Sequence, residues 1–301
     1  MRAGSRAAAA VLAVAASMLC PLLTWAEVGV HLQTNDDSDL KVPYIISGIT
    51  DSPDPFGSAW GQLTGSSSRI VLNSEGYLNG DGPPSMVLNP FSDLVIVAWA
   101  RSSASGFDVV VSHLSEDTWS APQVLADHLD DALDPKLFVD PSDGTVHLVY
   151  WIAEESPRVM HRQAPPDLSS WTAPVQVSDV GEPACRPDGA IHGGELRVVY
   201  EAHNVGLGEP PLEIVMATRN GSTFTTETVE ISYFPEKNWP EIHSAAGRLW
   251  IDWVDSEDQV GWIRLNPQGQ WDPVEHEPYA NSEELLYRIR GTIRLDVIGG
   301  E

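Results

Sequence analysis

The chain has 301 residues, with 43 acidic and 17 basic side chains and a formal charge of −26. That balance excludes a nucleic-acid binder held by phosphate neutralisation, which needs a lysine and arginine surplus, and it opposes adhesion to an anionic membrane surface. With 42% hydrophobic and 20% charged residues the chain is no disordered acidic tail, and its 11 tryptophans, 24 glycines and 23 prolines describe a globular protein that turns often and buries large rings.

Residues 1–26 read as a secretory signal peptide. Arg2 and Arg6 supply the positive start, Ala7 to Leu19 is apolar and uncharged, and Ala26 places a small residue before Glu27. The expected location is therefore secreted or periplasmic, with no membrane insertion after leader removal. Once Cys20 leaves with the leader, Cys185 is the remaining thiol, so no internal disulfide is expected and the core must suffice alone.

An internal repeat follows. Pro84, Pro135, Pro187 and Pro240 recur at intervals of 51, 52 and 53 residues. After each comes an apolar stretch, a turn, and a strand ending in an aromatic: Leu94 to Trp99, Val146 to Trp151, Leu196 to Tyr200 and Leu249 to Trp253. A third strand follows in each copy (Asp108 to His113, Arg158 to His161, Glu213 to Ala217, Gln259 to Ile263). The copies close at Trp119 to Val124, Trp171 to Val177, Phe224 to Val229 and Trp271 to Val274. Four short strands per ~50 residues at constant spacing predict an all-β fold, a β-propeller, because one twisted sheet cannot bury both of its faces and must stack on neighbours. The repeats span about 84–127, 135–178, 187–230 and 240–275 of a single domain, 27–301. A composite closing blade from 57–83 plus 283–299 makes five blades. Six is the alternative, with residues 27–56 adding strands. Trp119, Trp171 and Trp271 are expected to pack between sheets.

In such a wheel the first strand of each blade lines the axis, and ligands bind where several blades converge. The residues just before the anchor prolines, Pro83, Asp134, Arg186 and Trp239, are expected nearest that axis. Arg101, Glu201 and His203 join them on the rim. The ligand-binding candidates are thus Arg101, Asp134, Arg186, His203 and Trp239: a carboxylate, guanidinium groups and an indole suit hydroxyl hydrogen bonding and stacking on a sugar ring. Asp127, Asp130, Asp131 and Asp134 offer hard oxygens for calcium, but the EF-hand spacing is absent and a solvated turn is the simpler reading. His113 and His161 hold similar places in two third strands, which suggests packing. No His-x-x-x-His or paired-cysteine spacing is present, so no metal site and no cofactor are expected.

The phrases Asp117-Thr-Trp-Ser-Ala-Pro122 and Ser170-Trp-Thr-Ala-Pro174 resemble the Asp-box (BNR) repeats of the sialidase superfamily, over residues 84–275, in degenerate form: Ser115 and Asp117 keep the serine and aspartate of that turn, while its glycine is missing. The resemblance implies a β-propeller. In an active member it also implies arginines on a substrate carboxylate, for which Arg69, Arg101 and Arg186 are the partial matches. A tyrosine nucleophile would be sought at Tyr287, with Asp134 or Glu201 as acid or base. Strong blade repetition without a strict catalytic signature favours a non-catalytic module binding a glycan or an extracellular protein through the axial funnel. A sialidase-like glycoside hydrolase is the alternative, and a structural interaction scaffold the third reading.

Overall fold

The computed structural model describes residues 45–49, 59–63, 70–71, 82, 84–103, 106–115, 118–126, 131–203, 212–232, 240–245, 247–254 and 259–278. Among them there is no helix, and twenty strands form five antiparallel sheets. The first sheet holds β1 (Ile45–Ile49), β2 (Ala59–Leu63) and β3 (Ile70–Val71). The second holds β4 (Ser85–Asn89), β5 (Leu94–Ser103), β6 (Gly106–Ser115), β7 (Thr118–Trp119) and β8 (Gln123–Ala126). The third holds β9 (Asp131–Val139), β10 (Val146–Ala153), β11 (Arg158–Ala164) and β12 (Val175–Gln176). The fourth holds β13 (Ala184–His192), β14 (Glu195–His203), β15 (Leu212–Asn220) and β16 (Thr223–Ser232). The fifth holds β17 (Glu241–Ala245), β18 (Arg248–Val254), β19 (Gln259–Leu265) and β20 (Glu275–Pro278).

Each of the last four sheets is a meander; Pro84 and Pro240 lead into the first strands of theirs, whereas Pro135 and Pro187 lie within β9 and β13. The central strands are apolar on both faces. In β10, Val146, Leu148, Tyr150 and Ile152 join Ile96, Ala98, Val109 and Val111 of the second sheet in one core, while Val149 points the other way, to Val198, Tyr200 and Val215 of the fourth. The fourth sheet in turn packs Val199, Ile214 and Met216 against Ile242, Leu249 and Ile251 of the fifth. Period-two alternation with both sets buried is what a sheet sandwiched between two others requires. Trp171 packs into the core shared by the second and third sheets, and Trp271 into that shared by the fourth and fifth. Trp119 lies on the second sheet's other face, with Val97, Trp99 and Val110.

The first strands β4, β9, β13 and β17 neighbour one another in sequence order. They share no backbone ladder; side chains bridge them instead. Ser85 Oγ accepts from the Leu137 N–H at 3.0 Å, and Asp188 Oδ2 accepts from the Ile242 N–H at 3.0 Å. These two bonds are the same device one repeat pair apart: the residue after an anchor proline reaches the second residue after the next one. Gly189 allows the approach of β9 to β13, since a Cβ there would stand 2.9 Å from the Phe138 ring and 3.1 Å from the Arg197 carbonyl.

The N-terminal sheet begins at Ile45, in the stretch that the six-blade alternative drew upon, and not at residue 57. Residues 283–299, expected to complete the closing blade, lie outside the described residues, as does the leader. No helix among the described residues is long and apolar enough to cross a membrane.

The third and fourth sheets enclose two imidazoles. His147 and His161 are 2% and 3% exposed, their Nδ1 and Nε2 atoms are 3.0 Å apart, and Phe224 sits edge-on to His161. Burial, and secondarily the Arg219 guanidinium, pushes His147 down to about 4; burial and His147 itself push His161 down to about 3. Asp140 and Asp143 oppose the shift at His147 only in part. Unfolded histidine titrates near 6.5, so below that pH the unfolded chain binds more protons and folding stability is lost as pH falls. The melting temperature should therefore drop between pH 6.5 and 4.5, with a shallower slope in His161→Gln; equal slopes in the two proteins would contradict a neutral buried pair.

Candidate functional site

Two strands carry the same irregularity. In β9, Lys136 pairs with Val149 and Leu133 with Trp151, leaving Asp134 and Pro135 opposite Tyr150 alone. In β13, Asp188 pairs with Val199 and Cys185 with Glu201, leaving Arg186 and Pro187 opposite Tyr200. Two residues against one is a β-bulge, a device that re-aims side chains. Asp134 and Arg186 have φ of 46° and 51°, in the left-handed region that costs a non-glycine residue about 1–3 kcal/mol. A proline after each supplies no N–H to the ladder, which suits it to the interruption. Tyr150 and Tyr200, both 0% exposed, stand opposite the bulges and pack into the cores shared by the second and third sheets and by the third and fourth.

The bulges bring together three of the sequence candidates, each with a polar partner. Asp134 Oδ2 accepts the Trp151 indole N–H at 2.8 Å. Arg186 Nη1 stands 3.1 Å from both Glu201 oxygens; the guanidinium side chain is 37% exposed, while the carboxylate is 2% exposed. Cys185 precedes Arg186, with Sγ 3.8 Å from Glu201 Oε2, its thiol pushed up to about 12, chiefly by burial and then by Glu201, with Asp134 adding to the effect and Arg186 opposing it. A thiol held protonated this firmly is no nucleophile.

Arg101, on β5, lies 3.5 Å from Asp108 of β6. Of the calcium candidates, Asp131 Oδ1 accepts the Phe107 N–H at 2.9 Å and Asp134 is engaged as described, so these two carboxylates serve different partners. Asp127 and Asp130 lie outside the described residues, as do Arg69, Trp239 and Tyr287; His203 ends β14, and its side chain is likewise outside them.

A second polar group was not singled out by the sequence reading. Glu241 follows Pro240, and the register sets it across from Asp252 and His243 across from Trp250. Burial, then Asp188 and Asp252, raise the Glu241 carboxyl to about 7; Lys136 and His243 counter this in part. The residues after the four anchor prolines, Ser85, Lys136, Asp188 and Glu241, are all polar. That column was visible in the repeat and was the signal for this group.

Removing the Arg186 guanidinium leaves Glu201 in a nearly dry site without its countercharge. Arg186→Ala should cost about 2–3 kcal/mol, less than a fully buried pair because the arginine is partly solvated, and Glu201→Gln should cost less. Urea denaturation checks this; a loss under about 0.5 kcal/mol in Arg186→Ala would match an ordinary surface pair instead.

No protein-family model matches the chain, and no curated protein matches it. Among solved structures it is similar to a polysaccharide lyase, the PL25 ulvan lyase (TM-score 0.55, 10% identity, 78% of this chain and 68% of that one). It is also similar to the GH93 α-L-arabinofuranosidase of Fusarium graminearum with arabinobiose (0.54, 12%, 79% and 78%). A third is the Penicillium chrysogenum α-L-arabinanase complexed with arabinobiose (0.52, 13%, 75% and 76%). At such identities the likeness concerns the fold, a β-propeller.

Proposed function

We propose that this chain is an exported, five-bladed, non-catalytic carbohydrate-binding propeller whose axial face takes an uncharged glycan. The observation that carries the reading is the paired bulge: strain is kept at two corresponding positions, and each turns a polar side chain out of its ladder. Strain of this kind persists where the surroundings over-determine it, and it concentrates at ligand-binding sites. Rigid carboxylate and guanidinium groups beside an indole suit the hydroxyls and ring face of a sugar. Three of the similar solved structures are named for enzymes acting on polysaccharide or arabinose-containing glycans.

The preference for a neutral ligand departs from the sialidase-like expectation. Arg101 and Arg186 have carboxylate partners in Asp108 and Glu201, and the whole chain carries −26. An anionic sugar would have to compete with a buried glutamate for Arg186 against an unfavourable field. The non-catalytic reading is supported by strong blade repetition without a strict catalytic signature in the sequence.

Calorimetric titration with arabinobiose and with neutral and uronate oligosaccharides tests the proposal. Neutral sugars should bind, and Asp134→Ala should weaken binding about tenfold, the worth of one good hydrogen bond. Binding confined to uronates, or no binding to any sugar, would overturn it. A hydrolase acting on arabinose-containing glycans is the second reading, favoured by the names of two of the structures above. Release of reducing sugar from arabinan, abolished by Asp134→Asn or Glu201→Gln, would establish it in place of the first.

A further inference from the structure

From the donor geometry on β17 and β18 we infer that Glu241, His243 and Asp252 form a binding site for one divalent transition-metal ion of the zinc class. One ligand atom from each lies within 4.8 Å of the other two. His243 Nε2 is 3.4 Å from Asp252 Oδ1 and 3.8 Å from Glu241 Oε2. His243 Nε2 is within hydrogen-bond reach of Asp252 Oδ1, and a second carboxylate, that of Glu241, faces the same nitrogen. Around a tetrahedral ion with donors at about 2.1 Å, neighbouring donors stand about 3.4 Å apart; the His243–Asp252 pair has that spacing, and Glu241 would close in by a few tenths of an ångström or more.

Strand geometry builds the set. Glu241 and His243 are two residues apart, so they share a face of β17, and Asp252 is the cross-strand partner of Glu241 and the diagonal neighbour of His243. The His243 ring stacks on Trp250 (centroids 5.4 Å apart, planes at 27°), which fixes its orientation. The three side chains keep 34%, 20% and 16% of their exposure, so an ion has access from solvent. Asp188 of β13 and Lys136 of β9 act on Glu241 with opposite sign. One imidazole with two carboxylates suits zinc or its neighbours better than calcium, which takes oxygens alone, and three protein donors leave a fourth position open. The inference is independent of the glycan reading.

Chelator-treated full-length protein titrated calorimetrically with zinc chloride tests it. One ion per chain should bind, at least tenfold more weakly in Asp252→Asn and His243→Gln, and excess calcium should not displace it. No binding, or binding unchanged in both variants, would refute the site; the triad would then be an ordinary hydrogen-bonded cluster. Displacement by calcium would refute the imidazole ligand. Should both variants fail to fold, copper(II) loaded on the unaltered protein must show nitrogen hyperfine coupling from one imidazole in its EPR spectrum, and a spectrum without it also refutes the site.

Discussion

The first strands of successive sheets lie side by side without sharing a backbone ladder, and the architecture depends on how that gap is bridged. Ser85 to Leu137 and Asp188 to Ile242 supply the same side-chain-to-backbone bond in two places. Farther along the strands, Asn89 Nδ2 donates to the Gly144 carbonyl at 2.8 Å, and His192 Nδ1 lies 3.0 Å from Ser244 Oγ. Apolar packing between sheets supplies the bulk of the cohesion, but it is non-directional. The polar bridges fix the register in which one sheet meets the next.

The site inherits that register. Because Pro135 and Pro187 occupy the same place in their sheets, the bulges before them fall at the same height, opposite Tyr150 and Tyr200. The partners of Asp134 and Arg186 come from second strands: Trp151 from β10 and Glu201 from β14. Each bulge thus combines a strained residue, a proline and a neighbour that holds the side chain.

Most of the architecture was legible because repetition makes each copy a check on the others. The spacing of the prolines and the aromatic ends of the second strands located four sheets, and Trp171 and Trp271 lie between sheets as expected, whereas Trp119 packs against Val97, Trp99 and Val110 of its own sheet. The N-terminal sheet was less legible. Its strands lack the proline anchor, and Ile45–Ile49 fell outside the composite closing blade of the five-blade reading, in the stretch from which the six-blade alternative drew strands. At the site, position alone marked Asp134 and Arg186, since residues before an anchor proline were expected at the axis. Their pairing with Trp151 and Glu201 was not readable, because a cross-strand partner depends on a bulge that shifts the register. The Glu241, His243 and Asp252 group escaped for another reason: its members are separated by two and by eleven residues, a spacing that only a hairpin brings together.

The most direct test of the account is a crystal structure of the purified protein soaked with arabinobiose. The account predicts left-handed backbone at Asp134 and Arg186, with the sugar within hydrogen-bonding distance of both side chains. Regular, unbulged first strands, or a sugar bound away from these two residues, would contradict it.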